Sequence, residues 1–289
     1  MARVSDGDAD RDDPRALRAV AEQLATEAAE FVRRRRAEVF GTTAAAAGSG
    51  AVTAKSTPTD PVTVVDTETE RLLRERLATL RPDDQILGEE EGGSADAAAG
   101  QLTWVLDPID GTVNFVYDIW AYAVSVAVQR DGESVAGAVA DVANAAVYSA
   151  ARGDGAVLRA KGEVTPLRCS TASELSLALL GTGFAYAPQR RHEQARVLVG
   201  VLPRVRDVRR IGSCALDLCM VAAGRLDAYY EDGVNVWDWA AGALIAAEAG
   251  ATVRLPATAG AVGGAGLVVA AAPGVAAELD DVLREVGVR

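Results

Sequence analysis

The chain is 289 residues long, with a net charge of −12 and with 49% hydrophobic and 24% charged residues. That length buries one large core or two smaller ones, and the acidic balance excludes a nonspecific binder of nucleic acid or anionic membrane. An acidic protein acting on an anionic substrate needs local positive charge, which bound cations supply.

The chain is polar and acid-rich from Ser5 to Asp13, which predicts a disordered N-terminus from Met1 to about Asp13 and no signal peptide. Pro14 suits the first turn of a helix, where Leu17, Val20, Leu24, Phe31 and Val32 recur at helical spacing. The run Arg33–Arg36 is expected to end that helix, its cations complementing the dipole. Gly41–Gly50 reads as a loop and Lys55–Pro61 as a rigid, proline-bounded turn. A second helix follows, with Val65, Leu72, Leu73, Leu77 and Leu80 facing a core. Ile86–Gly88 is a short strand running into Glu89, Glu90 and Glu91, and residues 92–100 have loop composition.

From Trp104 the period shifts to two. Tyr122, Val124, Val126 and Val128 alternate with smaller residues, Asp131-Gly132 signals a hairpin, and Val135–Val142 and Ala146–Ser149 extend an antiparallel meander. After about Lys161 the pattern is mixed. It predicts helices over His192–Leu202, Ala215–Ala223, Trp239–Ala249 and Val275–Val286, and strands at Val205–Arg210, Asp227–Glu231 and Leu267–Ala271. No apolar run reaches membrane-spanning length; Ala257–Ala277 comes nearest, and Gly and Pro break it. The organisation expected is a disordered segment over 1–13, a helix plus antiparallel-sheet half over 14–160, and an α/β half over 161–289.

The most informative stretch is Trp104-Val105-Leu106-Asp107-Pro108-Ile109-Asp110-Gly111-Thr112-Val113-Asn114-Phe115. A buried strand that delivers two carboxylates to its own exit is costly, because each ionised group must be desolvated. Hard divalent cations offset that cost, and Mg²⁺ needs few protein oxygens where phosphate supplies the rest. The segment therefore points to metal-dependent phosphoryl transfer. Gly111 and Thr112 open a turn whose N–H groups suit a phosphate, while Gly-Thr alone also fits an ordinary Asp-Gly turn with a polar cap. Taken singly, Glu89 and Glu90 fit a solvated turn and Asp238 fits a helix N-cap. Arg209 and Arg210, before Gly212-Ser213, offer guanidinium donors or are simply exposed bases at a strand end.

As a set, these residues resemble the inositol monophosphatase family, within the lithium-sensitive, Mg²⁺-dependent sugar phosphatases. Trp104–Phe115 resembles the family's first signature, and Val236-Trp237-Asp238-Trp239-Ala240-Ala241-Gly242 leading to Glu248-Ala249-Gly250 resembles its second. Gly88-Glu89-Glu90, Lys55-Ser56 with Asp60 and Asp66, and Gly212-Ser213-Cys214-Ala215 fall in family order, and Ser213–Glu231 looks like bacterial members of actinobacterial type. The resemblance implies a layered αβαβα sandwich with an antiparallel-sheet N-terminal half and an α/β C-terminal half. It implies two or three Mg²⁺ ions: one on Glu89, Asp107 and the Ile109 carbonyl, a second on Asp107, Asp110 and Asp238, and a weaker third leaning on Glu89. Glu89 and Thr112, the latter backed by Asp66, would activate the attacking water, with Glu90 helping to place it. Gly111 and Thr112 would bind phosphate, while Gly212, Ser213, Glu231, Asp238 and Arg209 would meet the substrate. The implied partner is a small sugar or polyol phosphate, with no membrane and no nucleic acid, in a cytoplasmic homodimer.

Inositol 1-phosphate is the leading substrate. Relatives on this scaffold take fructose 1,6-bisphosphate, histidinol phosphate or 3′-phosphoadenosine phosphates, and one bacterial relative serves a transcription complex. Asn235 and Cys214 depart from better-known animal members, which carry histidine and alanine there. The single histidine, His192, reads as a surface residue at a helix start, which excludes a His-based triad or zinc site. Cys169, Cys214 and Cys219 lack metal-ligand spacing and read as small buried thiols.

Overall fold

The computed structural model of the protein describes residues 11–41, 52–55, 59–93, 98–256 and 266–288. Residues 1–10 of the expected disordered terminus, and parts of the loops expected at 41–50, 55–61 and 92–100 and of the stretch 257–277, lie outside them.

Helix α1 (Pro14–Phe40) starts at Asp13, whose side chain accepts from the Arg15 N–H, with Pro14 in the first turn. Asp12 binds the buried Arg81 guanidinium at 2.5 Å. The order expected to begin only after Asp13 therefore already includes residues 12 and 13. Nor does the arginine run end this helix. Arg36 lies inside it and buried, donating to the Phe115 carbonyl at 3.0 Å and pairing with Asp118 at 3.1 Å. Long-range partners, rather than the helix dipole, account for that cation.

Strands β1 (Val52–Ala54) and β2 (Pro61–Thr63) form a small antiparallel pair. Helix α2 (Val64–Leu80) follows, opened by a capping box between Thr63 and Asp66. The large sheet collects β3 (Gln85–Gly88), β4 (Gly92–Gly93), β5 (Leu102–Asp110), β6 (Ala123–Arg130), β7 (Glu133–Asp141), β8 (Ala146–Ala151), β9 (Ala156–Ala160) and β10 (Glu163–Pro166), in the order β10-β9-β8-β7-β6-β5-β3-β4. All its pairs are antiparallel except β3 with β5.

Short helix α3 (Thr112–Tyr117) leaves the end of β5. The second half adds β11 (Leu179–Thr182), α4 (Pro188–Val201), β12 (Asp207–Arg209), α5 (Cys214–Ala222), β13 (Ala228–Val234), α6 (Val236–Glu248), β14 (Thr252–Arg254), β15 (Gly266–Ala271) and α7 (Pro273–Glu285). Its five strands run β12-β11-β13-β15-β14, with β11 parallel to both its neighbours.

Three apolar layers hold these elements in an αβαβα sandwich. Leu17, Leu24, Leu73, Trp104, Leu106 and Val126 fill the space between α1, α2 and the large sheet. Val105, Ala127, Leu218, Trp239, Ile245 and Val268 fill the middle layer, where α5 and α6 lie between the two sheets. Leu180, Val201, Tyr230, Val269 and Leu279 close the outer layer against α4 and α7. Both sheets are thus covered, which is why β5 reads as a continuous buried run.

The strand that carries the signature does not stay regular. Its register against β6 shifts between Asp107 and Asp110, around Pro108, which has no N–H to give to the ladder. Val105 faces the middle layer, and strict alternation would send Ile109 there too; the irregularity turns Ile109 into the α1/α2 core instead. Both aspartates are left at the edge of the middle layer, beside the N-terminal ends of α5 and α6.

Candidate active site

A cleft of about 510 Å³ opens there, lined by Lys55, Glu89, Asp107, Ile109, Asp110, Gly111, Thr112, Tyr186, Arg210, Gly212, Cys214, Glu231, Asn235, Trp237 and Asp238, among others. Carboxylate oxygens of Asp107, Asp110 and Asp238 lie within 4.8 Å of one another. Residues more than a hundred positions apart meet because β5 and the N-terminus of α6 end at the same edge.

Each aspartate is held differently. Asp107 Oδ1 accepts the Ile109 N–H at 3.0 Å, while its Oδ2 is buried with no hydrogen-bond partner. Asp110 Oδ2 accepts the Ala215 N–H at 2.7 Å and the Ser213 hydroxyl, so the first turn of α5 grips it. Asp238 sits at the third position of α6 and accepts the Asn235 N–H at 2.6 Å. Asp238 is thus not the N-cap that its position suggests: Asn235 is, and Asp238, one turn in, completes the capping box with one oxygen while its carboxylate still reaches Asp107 and Asp110.

Burial dominates the electrostatics. It pushes Asp107 and Asp238 well above the usual carboxylate range, and the neighbouring Glu89 and Asp110 push both further. Asp110 is pushed up to about 7 by burial, against the pull of the Ser213 and Ala215 bonds. Such a donor set fits a divalent cation, which would give Asp107 Oδ2 a partner and neutralise charges that otherwise repel.

Glu89 leaves β3 into the same cleft, where Lys55 Nζ holds it at 2.8 Å and holds Glu90 at 2.5 Å. Desolvation pulls the Lys55 pKa down, but these two carboxylates outweigh it and the pKa lies above the ordinary value. Glu90 itself is absent from the cleft lining and only part-buried; its carboxylate faces Lys55.

Thr112 opens α3, its hydroxyl 3.0 Å from the Ile109 carbonyl and 3.3 Å from Asp66 Oδ1. Asp66 is fully buried at the N-terminus of α2, and burial pushes its carboxyl up to about 7 against the Thr63 hydrogen bonds. Gly111 takes φ 89°, and a Cβ there would meet the Ala121 carbonyl at 2.9 Å and the Gly212 carbonyl at 3.0 Å. Only glycine serves both the left-handed turn and the close approach. Asn114 Nδ2 donates to the Ala121 and Ile211 carbonyls at 2.7 and 2.9 Å, tying this turn to the loop before α5.

On the substrate side the placement differs from expectation at two residues. Arg209 is exposed and pairs with Asp207 at 2.6 Å, whereas Arg210, one residue on, lines the cleft. Ser213 is buried, caps α5 and donates to Asp110, so it supports a carboxylate instead of facing the cleft. Glu231 is backed by the Tyr229 hydroxyl, which donates to Oε2 at 2.6 Å. Tyr186, on the loop after β11, is a cleft residue that no sequence signal marked; His192 is exposed on α4, away from the cleft lining. Cys214 and Cys219 are buried and Cys169 half-buried, all with free thiols.

A layered sandwich whose acidic cleft joins two strand ends, a helix N-terminus and a glycine turn defines a phosphatase. The family model for the inositol monophosphatase family matches residues 13–286, and the chain belongs to that family. It is 71% identical over 267 residues to the inositol-1-monophosphatase of Mycobacterium leprae, covering 91% of this chain and 92% of that one. It is 68% identical over 271 residues to the inositol-1-monophosphatase SuhB of Mycobacterium tuberculosis, covering 92% and 93%. The solved structure of Mycobacterium tuberculosis SuhB superposes with a TM-score of 0.81 at 59% identity, covering 96% of this chain and 98% of that one. Among the described residues no helix is long and apolar enough to cross a membrane.

Proposed function

We propose that the chain hydrolyses inositol 1-phosphate to inositol and phosphate with Mg²⁺, by direct attack of water. The observation that carries this reading is the buried, partnerless Oδ2 of Asp107 among the carboxylates of Asp110, Asp238 and Glu89. Glu89, Asp107, Asp110 and Asp238, with the Ile109 carbonyl, would hold two or three ions. Bound there, Mg²⁺ supplies positive charge to the phosphate oxygens and lowers the pKa of the attacking water.

The remaining residues orient and hold. The Thr112 hydroxyl, placed by Asp66 and the Ile109 carbonyl, orients the water together with Glu89, and Glu90 steadies Glu89 through Lys55. N–H groups of Gly111 and Thr112 bind phosphate at the turn. Glu231, Gly212 and Asp238 meet the polyol, and Arg210 fills the role expected of Arg209. Ser213 acts through Asp110. A histidine is not required for any of these steps.

Phosphate release from inositol 1-phosphate, fructose 1,6-bisphosphate, histidinol phosphate and a 3′-phosphoadenosine phosphate, with Mg²⁺ and with chelator, tests the reading. The highest kcat/KM is expected for inositol 1-phosphate, with no turnover in chelator and inhibition by lithium. Hydrolysis unaffected by chelation overturns the metal assignment, and a better substrate elsewhere in the panel overturns the choice of alcohol. The cytoplasmic homodimer belongs to the same proposal. Tyr117, Ile119 and Trp120, exposed by 55, 46 and 55%, support it as an apolar surface for a second copy, and sedimentation of the full chain checks it.

A further inference from the structure

The face of α2 that carries Asp66 also carries Glu70, one turn on, to which the reaction above gives no part. Glu70 is fully buried. Its Oε2 accepts the Glu90 N–H at 2.7 Å, and its Oε1 accepts the Glu91 N–H at 3.0 Å and Arg74 Nε at 2.9 Å. Arg74 in turn donates to the Gly92 carbonyl. A buried carboxylate is tolerated when donors surround it, and here two of the donors are consecutive backbone amides of the turn after β3.

Space has been left for this contact. A Cβ on Gly88 would lie 2.1 Å from Glu70 Oε1, so a residue with any side chain there would displace the carboxylate. On the other flank the Glu89 N–H donates to the Leu106 carbonyl at 3.2 Å, next to Asp107. Glu89 is therefore fixed from both sides: by its own amide to β5, and by the amides that follow it to Glu70. Two-point attachment of consecutive amides sets the direction of the Glu89 Cα–Cβ bond.

We propose that Glu70 is a positioning residue whose carboxylate clamps the turn after β3 and thereby holds Glu89 toward the cleft for a divalent ion. The inference rests on the metal reading given above. Asp66 and Glu70 then make α2 the wall that orders two parts of the site, Asp66 through Thr112 and Glu70 through Glu89.

The test compares wild type, Glu70→Gln, Gly88→Ala and, as a control on the exposed face of α2, Glu75→Gln. Glutamine keeps the shape but offers one acceptor oxygen and points an N–H₂ at an amide donor. Three readouts are taken: Mn²⁺ binding from the spin-resonance signal of the free ion, amide exchange at Glu90 and Glu91 without metal, and the Mg²⁺ concentration that half-saturates turnover. Glu70→Gln and Gly88→Ala are expected to speed exchange at both amides. Each is expected to raise the Mn²⁺ Kd and the half-saturating Mg²⁺ by about 10–100-fold. KM for inositol 1-phosphate at saturating Mg²⁺ should move by less than about threefold, and Glu75→Gln should match wild type throughout. If Glu70→Gln does not fold, Gly88→Ala decides by the same readouts. Wild-type Mn²⁺ affinity in a folded variant overturns the proposal. Faster exchange in a protein whose wild type neither binds Mn²⁺ nor needs Mg²⁺ overturns it too, and in that case the fault lies with the metal reading and not with the clamp.

Discussion

The Thr112 hydroxyl lies 3.3 Å from Asp66 Oδ1, so the first residue of α3 is tied to the N-terminus of α2 across the back of the cleft. Asp66 meanwhile completes the capping box with Thr63. One carboxylate thus serves a helix end and a hydroxyl of the cleft, and two substitutions separate the roles. Asp66→Asn should lower kcat by about 10–100-fold with KM changed by less than about threefold, because the asparagine oxygen stays with the Thr63 N–H and its N–H₂ then faces the Thr112 hydroxyl in place of an acceptor. Thr63→Ala removes the cap and should cost about 1 kcal/mol of stability, with a much smaller loss of kcat. Steady-state kinetics beside thermal melts check both; equal kcat losses in the two variants would reduce Asp66 to a capping residue.

Stability without metal should fall as pH rises. Burial pushes Asp66 and Asp110 up to about 7, and pushes Asp107 and Asp238 upward as well. An aspartate in the unfolded chain titrates near about 3.9, so between roughly pH 4 and 7 the folded chain holds more protons than the unfolded one. Stability from these groups is complete below that window and is lost through it. Divalent ions need the carboxylates deprotonated, so their effect runs the other way. Chelator-treated protein should therefore melt at a lower temperature at about pH 8 than at about pH 5, and the gain in Tm on adding Mg²⁺ should be larger at the higher pH. A flat Tm across that range in chelator would refute the raised carboxylates.

Asp110→Asn should abolish turnover while leaving the fold in place. The asparagine oxygen still accepts from the Ala215 N–H and the Ser213 hydroxyl, which are the contacts that anchor α5. What disappears is the negative charge shared with Asp107 and Asp238. The loss of kcat should exceed the roughly 100-fold that follows from disturbing a ligand's supporting partner. Far-ultraviolet circular dichroism and a phosphate-release assay on one preparation check it, and retained activity would remove Asp110 from the ligand set.

Much of this site was legible in the sequence for a physical reason: carboxylates at the exit of a buried strand are expensive, and Asp107 and Asp110 stand out on that ground alone. The αβαβα layering was legible through the resemblance, while periodicity by itself reached only the two halves. A run of cations near a helix end suits the dipole, so Arg36 points to a terminus in the sequence, whereas its partners, Phe115 in α3 and Asp118 just after it, lie far along the chain. Both arginines are candidates in the sequence and the resemblance singles out Arg209, but Arg209 ends the three-residue β12 and Arg210 lies just beyond it, where no periodic pattern sets which one faces the cleft. Glu70 carried a readable signal, its i+4 spacing from Asp66, but its amide partners lie 20 and 21 residues away. Tyr186 had none.

Selectivity for the alcohol should be separable from hydrolysis at Gly183. A Cβ there would lie 1.9 Å from Glu231 Oε2, and the Glu231 carboxylate is otherwise fixed by the Tyr229 hydroxyl at 2.6 Å. Gly183→Ala must therefore push Glu231 off its position without touching Asp107, Asp110 or Asp238. KM for inositol 1-phosphate should rise by about 10–100-fold, in line with losing one hydrogen bond to a charged group of roughly 1.5–3 kcal/mol. Turnover of a small ester with no polyol ring, such as p-nitrophenyl phosphate, should change by less than about twofold, because that substrate never reaches Glu231. Tyr229→Phe should give the same split in weaker form, since it frees the carboxylate without displacing it. Parallel losses on both esters would mean that Glu231 supports the catalytic centre itself, and the choice of alcohol would then pass to Arg210, Asn235 and Cys214.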